Sequence, residues 1–235
     1  MKLSERLLEI ADLVPRGSCV SDVGTDHALL PIYLVKKGIA RRVIAVESKL
    51  GPWTRARENV RKAGMADLID VRLGDGFEPL KPGEVDVAII AGLGGETIWS
   101  IMEKSPDIVN SLCAIILQPM KNAHRLRKAL FENCFEITEE RVVFSKSKYY
   151  EIMVVKKGDS SFFSEEDVIL GPVLKRRRTP EVLGYIEARI RRLLIKLTEL
   201  EGKNSENAEK ARECIIKEME LLKGVLKNDK YSDGD

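Results

Sequence analysis

Five short runs, SCVSDV (18–23), RVIAVE (42–47), LIDVRLGD (68–75), VDVAIIAG (85–92) and SLCAIILQP (111–119), carry valine or isoleucine and are closed or closely followed by glycine or proline. Helix-length segments separate most of them. One such segment, Pro52 to Lys62, has proline at its expected first helical position and Gly64 after its last. Strands that alternate with helices in this way pack as a parallel, doubly wound sheet, so an α/β fold is expected. Ahead of the first run, Leu3, Leu7, Leu8, Ile10, Ala11 and Val14 fall near helical spacing, and Pro15 with Gly17 should end that helix.

The pattern changes after ILQPM. FEITEERVVFSKSKYYEIMVVKK (135–157) reads as two strands whose short connection, Ser145 to Lys148, permits an antiparallel hairpin but no crossover. A parallel sheet that ends in such a hairpin resembles a class I, Rossmann-like methyltransferase sheet more than a dehydrogenase, by fold analogy. From Thr179 and Pro180 a helix is expected, with Ile186, Ile190, Leu193, Leu197 and Leu200 as a coiled-coil seam. EGKNS interrupts it, and Ala208, Ala211, Ile215, Met219, Leu222 and Leu226 form a second stripe, so an antiparallel helical hairpin should follow. The expected organisation is a catalytic domain over 1–158, a basic connector over 159–178, the hairpin over 179–228 and a disordered tail over 229–235.

Charged residues make up 32% of the 235, yet the net charge is only +2, which excludes a uniformly basic nucleic-acid binder. A nucleic-acid site must come from local charge. LKRRRTP (174–180), followed by Arg189, Arg191 and Arg192, supplies such a concentration, with Arg6, Arg125 and Lys128 elsewhere. The four cysteines lack metal-ligand spacing and are expected to be reduced packing residues, with no metal. No apolar run reaches the roughly 18 residues of a membrane span, so a cytoplasmic protein without a membrane partner is expected.

The stretch SDVGTDHALLP (21–31) carries the most chemistry. A dinucleotide fold would place G-x-G-x-x-G here so that amides meet a pyrophosphate. Only Gly24 is in place, and Asp26 stands where a second glycine would allow the phosphates to approach. Two like charges about 4 Å apart repel by about 4 kcal/mol at an effective dielectric of 20. S-adenosylmethionine has no phosphate, and its sulfonium and ammonium suit an acidic loop. Asp22, Glu47 and Asp75 follow three successive strands, where open sheets bind ligands. AGLGGETI (91–98) has no Asn or Asp before two prolines, the usual means of accepting an amine proton. Gly92, Gly94 and Gly95 instead permit close approach of a planar base with its own ring lone pair, or serve only the turn.

These blocks resemble the bacterial tRNA (adenine(22)-N(1))-methyltransferases: LSERLLEIADLVPRGSCVSDVGTDHALLP (3–31), AGLGG (91–95), ILQPM (116–120), LRKAL (126–130) and KYYEI (148–152). Leu29 and Leu93 depart from the family pattern, where an aromatic residue and a methionine are usual. The resemblance implies S-adenosylmethionine as donor and N1 of a tRNA adenine as acceptor. Together with the strand-end positions it gives an expected donor set of Asp22, Gly24, Glu47, Ser48, Asp75, Gly76, Gly92 and Gly94. The expected substrate set is Arg6, Gly95, Gln118, Pro119, Tyr149, Tyr150, Arg176, Arg177 and Arg178. Asp26 is the expected catalytic carboxylate, with His27 orienting the base or Asp26; the alternative is that Asp26 holds the donor's ammonium while His27 packs in the core. Another RNA position, a small substrate, or a non-catalytic donor-binding module with an interaction hairpin remain open from the residues alone. A monomer or weak homodimer is expected.

Overall fold

A computed structural model describes residues 3–158, 163–203 and 205–227. The chain separates into two compact units, Met1–Ser161 and Phe162–Asp235. The tail expected over 229–235, and the start of the expected connector, 159–162, lie outside the described residues.

The first unit is built on β1 (Ser18–Val23), β2 (Ala40–Glu47), β3 (Ile69–Leu73), β4 (Val87–Leu93), β5 (Ala114–Pro119), β6 (Phe135–Ser145) and β7 (Lys148–Lys157). They form one sheet in the order β3-β2-β1-β4-β5-β7-β6. Neighbours among the first five are parallel, and β7 runs antiparallel to both β5 and β6. The chain order therefore reverses between β1 and β4, which opens a crevice at the carboxyl ends of those strands. The helices are α1 (Glu5–Asp12), α2 (Leu29–Lys36), α3 (Leu50–Lys62), α4 (Gly95–Glu103), α5 (Pro106–Ser111) and α6 (Ala123–Glu132). Because β1, β2 and β4 are covered on both sides, they read as near-continuous apolar runs, and Val20, Val43, Ala45, Val87 and Ile89 lie buried in one core with Ile10, Leu34 and Val60 from α1, α2 and α3.

α3 starts two residues before the proline that was expected to open it. Pro52 is its third residue, still in the first turn, where a missing N–H costs no helical bond. The cysteines also differ from expectation. Cys113, Cys134 and Cys214 are exposed, and Cys19 is half-buried with its sulfur accepting from Arg41 Nε at 3.1 Å. Cys113 and Cys134 immediately precede β5 and β6, and Cys214 lies within a helix on its exposed side.

The β6–β7 hairpin turns through Lys146 and Ser147, both left-handed (φ 48° and 61°), a two-residue turn whose twist matches the strands. Behind it, α6 is joined to both strands by charge. The fully buried Arg127 donates from Nε to Glu140 at 2.9 Å and from Nη2 to Glu151. Ion groups this deep are held at a large desolvation cost, and removal of one partner leaves charge uncompensated.

In the second unit, α7 (Glu165–Ile169) opens with a reciprocal cap between Ser164 and Asp167, and a short 3-10 turn covers Leu174–Arg176. α8 (Pro180–Glu199) begins as expected, with Thr179 accepting from the Val182 amide and Pro180 at the first position. It packs on α9 (Glu206–Lys227) through buried Ile186 and Leu193 on one side and Ala208, Met219, Leu222 and Val225 on the other. Among the described residues no helix is long and apolar enough to cross a membrane.

Replacing Glu140 with Ala should lower the unfolding free energy by about 3 kcal/mol or more, as read by urea denaturation; a loss under about 1 kcal/mol would show that Glu151 alone satisfies Arg127.

Candidate active site

β1 leaves the sheet at Val23 and the chain doubles back at once, because the Gly24 and Thr25 amides both donate to the Val46 carbonyl, at 2.9 and 3.0 Å. Gly24 takes φ 77° without cost, but Asp26 (φ 52°) and Ala28 (φ 56°) are left-handed with side chains, on the order of 1 kcal/mol each. Glu47 offsets that strain. Its Oε2 accepts the Asp26 amide at 3.2 Å and its Oε1 the Lys49 amide at 3.0 Å, so one buried carboxylate holds the turns after both β1 and β2. Asn59 on α3 adds a bond from Nδ2 to the His27 carbonyl at 3.0 Å. The strain aims the Asp26 side chain outward, 65% exposed, with His27 Nε2 3.5 Å from Asp26 Oδ2. His27 is 40% exposed, so it does not pack in the core.

Asp22 lies beneath this turn, 5% exposed, accepting from Thr25 Oγ1 at 2.6 Å. Burial pushes its carboxyl up to about 6; the Thr25 bond and the Arg6 guanidinium pull it down, and Glu47 adds to the rise. Arg6, from α1, donates to the Gln118 side chain and lies 5.6 Å from the centre of the Tyr150 ring. Burial lowers Arg6 from its ordinary value, against the pull of Tyr150 and Asp22. It stays charged. Residues from β1, the turn, α1 and Ala91 line a cleft of about 120 Å³. Pockets that enclose a drug-sized ligand run to about 300 Å³ or more, so this cleft has room for only part of such a ligand.

The other expected site residues fall into distinct groups. Ser48 is exposed directly after Glu47, and Asp75 is exposed two residues beyond β3. Gly76 (φ 57°) has a packing reason of its own, since a Cβ there would meet Ile101 at 3.0 Å. Gly92 (φ 82°) faces the Arg6 guanidinium, and Gly94 faces Lys121. Gly95 is buried, with the Asn122 carbonyl 2.6 Å from any Cβ it could carry, so close packing of α4 against the start of α6 already requires glycine. Gln118 is fully buried and donates from Nε2 to the carbonyl of Pro119, which ends β5. Tyr149 and Tyr150 are consecutive strand residues and project to opposite faces, so they cannot both stack on one base. In the basic run, Arg176 is exposed, whereas Arg178 donates to the Val225 carbonyl at 2.7 Å and Lys175 pairs with Asp167 at 2.7 Å. Arg189 is bound by Glu218 and the Ile169 carbonyl, and Arg125 by Glu96.

Two residues that organise the site carried little signal, and a third, Glu47, showed only part of its role. Thr25 hides within the turn, Asn59 is one polar residue on an amphipathic helix, and the double use of Glu47 appears only once β1 and β2 are paired. The fit to S-adenosylmethionine rests on this chemistry: the buried acids Asp22 and Glu47 beside a turn with no side chain at Gly24.

The Asp22 shift predicts a stability cost. A carboxyl raised in the folded state favours folding below its ordinary 3.8, and that contribution is lost as pH rises through about 6. Asp22→Asn should therefore stabilise the ligand-free protein at pH 8 by up to about 3 kcal/mol. The advantage should close between pH 6 and 4, as followed by thermal unfolding; an equal effect at both ends would show that the ionised carboxylate carries no penalty.

Comparison with known proteins agrees with this geometry. Residues 3–153 match the family described as a methyltransferase domain. The tRNA (adenine(22)-N(1))-methyltransferase of Bacillus subtilis is 32% identical, the match covering 96% of this chain and 98% of the relative. The crystal structure of the B. subtilis m1A22 tRNA methyltransferase TrmK superposes with a TM-score of 0.85 at 31% identity, over 96% of this chain and 99% of that one. A Streptococcus pneumoniae structure in complex with S-adenosyl-L-methionine gives a TM-score of 0.86 at 32% identity, over 96% and 100%. With the reversed strand order, the acidic turn after β1 and matches along nearly its whole length, the chain belongs to the tRNA (adenine(22)-N(1))-methyltransferase family.

Proposed function

We propose that this chain transfers a methyl group from S-adenosylmethionine to N1 of an adenine in tRNA, position 22 by kinship. The observation that carries the reading is the strained turn that holds Asp26 outward at the mouth of a cleft floored by buried Asp22. Bound along the carboxyl edge, S-adenosylmethionine supplies an electrophilic methyl on a sulfonium. On this reading Asp22 faces the cationic methionine end, Glu47 retains lone pairs for the ribose hydroxyls, and Ser48, Asp75 and Gly76 border the adenine. Gly24, Gly92 and Gly94 let the ligands approach the backbone.

N1 attacks with its own lone pair, so the chain need not remove a proton there. Asp26 accepts a hydrogen bond from the exocyclic N6 amine, which strengthens N1 as nucleophile, and faces the positive charge that spreads over the methylated ring. His27 holds Asp26. Positioning the base in line supplies much of the rate. N1 lies on the pairing edge, so the target must be unpaired or extruded. Arg6, held between Gln118 and Tyr150, shapes the entrance, with Pro119 and Gly95 behind it. The helical unit binds tRNA backbone through exposed charge such as Arg176, and the protein works in the cytoplasm as a monomer or weak homodimer.

Incubation with labelled S-adenosylmethionine and unmodified tRNA should yield 1-methyladenosine on nucleoside analysis; donor binding without any incorporation would refute the proposal. Asp26→Asn should lower kcat roughly 100-fold while the donor Kd shifts less than about threefold. Arg176→Glu should weaken tRNA binding, flatten its salt dependence and spare donor binding; unchanged tRNA affinity would remove this residue from the interface.

A further inference from the structure

The β6–β7 hairpin reaches well past the edge on which the active site lies. Val23, Ile90, Leu117 and Met153 are level across β1, β4, β5 and β7. Tyr149 lies four residues beyond Met153, about 13 Å past the end of β1. Its register partner is Phe144, and the two rings sit 4.8 Å apart, tilted by 52°. Phe144 is 52% exposed. A large aromatic side chain left in water at the tip of a projecting hairpin buys no core stability, and the same projection is held rigid from below by Arg127, Glu140 and Glu151.

Strand alternation decides which face the pair occupies. Tyr149 and Glu151 share the α6 face, where Glu151 meets Arg127, while Tyr150 points to the opposite face toward Arg6. Exposed lysines stand at the turn of the hairpin and after β5. Lys146 is the tip of the turn, Lys148 follows it, and Lys121 lies exposed beside Gly94 at the start of α4. Of the acids here, Glu96 is taken up by Arg125 at 2.6 Å and by Asn122 at 3.1 Å, and Glu5 accepts from Ser145 Oγ at 2.6 Å beside the turn. Exposed aromatic rings interleaved with lysines are the surface that unpaired nucleotides recognise, bases on the rings and phosphates on the amines.

We propose that Phe144, backed by Tyr149, is a stacking platform for an unpaired tRNA base that flanks the target adenine, with Lys121 and Lys146 on the adjoining phosphates. The inference rests on the tRNA reading above and adds to it: Asp26 handles the target base, and the hairpin tip holds its neighbour. An extruded base leaves a gap in the stack, and a ring beyond the edge compensates the neighbour that loses its partner.

The test uses the full-length protein, unmodified tRNA, and the same tRNA carrying 2-aminopurine next to the target adenine. Phe144→Ala should raise the tRNA Kd about 5- to 150-fold, abolish the fluorescence quenching of the 2-aminopurine, and leave the S-adenosylmethionine Kd unchanged. Phe144→Leu, which keeps an apolar side chain, should behave like Ala, and Phe144→Trp should restore affinity. Affinity within twofold of the parent for Ala, or rescue by Leu as good as by Trp, overturns the platform even if the parent methylates tRNA. A parent that binds no tRNA overturns both this inference and the reading beneath it.

Discussion

One carboxylate, Glu47, holds the active edge together. Its two oxygens accept amides from the turns that follow β1 and β2, and the first of those amides belongs to the residue that points out of the cleft. Left-handed backbone at a residue with a side chain persists only where its surroundings over-determine it. Here the surroundings are the end of β2, the Val46 carbonyl and a side-chain bond from α3. The parallel sheet thus does more than display residues. By bringing β1 and β2 into register it makes the geometry of Asp26 a property of strand pairing.

The edge also shows how an acidic cleft differs from a phosphate-binding one. Asp22 is buried in spite of its charge and is kept ionisable by a threonine hydroxyl and a half-buried arginine. In the absence of a cationic ligand this is a destabilising arrangement; beside a sulfonium and an ammonium it becomes a favourable one. On the proposed reading, stability and ligand preference are set against each other at a single side chain, a trade that binding sites commonly make.

Much of this was legible in the sequence because period and punctuation agreed. Valine- and isoleucine-rich runs closed or closely followed by glycine or proline located β1 to β5, and the short connection from Ser145 to Lys148 permitted a hairpin and no crossover. Thr179 and Pro180 marked the start of α8. What resisted reading depended on contacts far apart in the chain. Arg6 and Gln118 are joined across 112 residues, Gly95 is explained by the Asn122 carbonyl, and Arg178, in a run that looked uniformly available to RNA, is tied to α9. The consecutive tyrosines were expected in one substrate set, yet alternation along β7 sends them to opposite faces.

The buried group formed by Arg127, Glu140 and Glu151 has a consequence for how the hairpin forms. A slip of one residue in β6 or β7 would turn a glutamate toward the apolar face that holds Val143 and Ile152, and would leave Arg127 short of a counter-charge in the core. The charges therefore add to the apolar alternation in favouring a single alignment of the hairpin on α6.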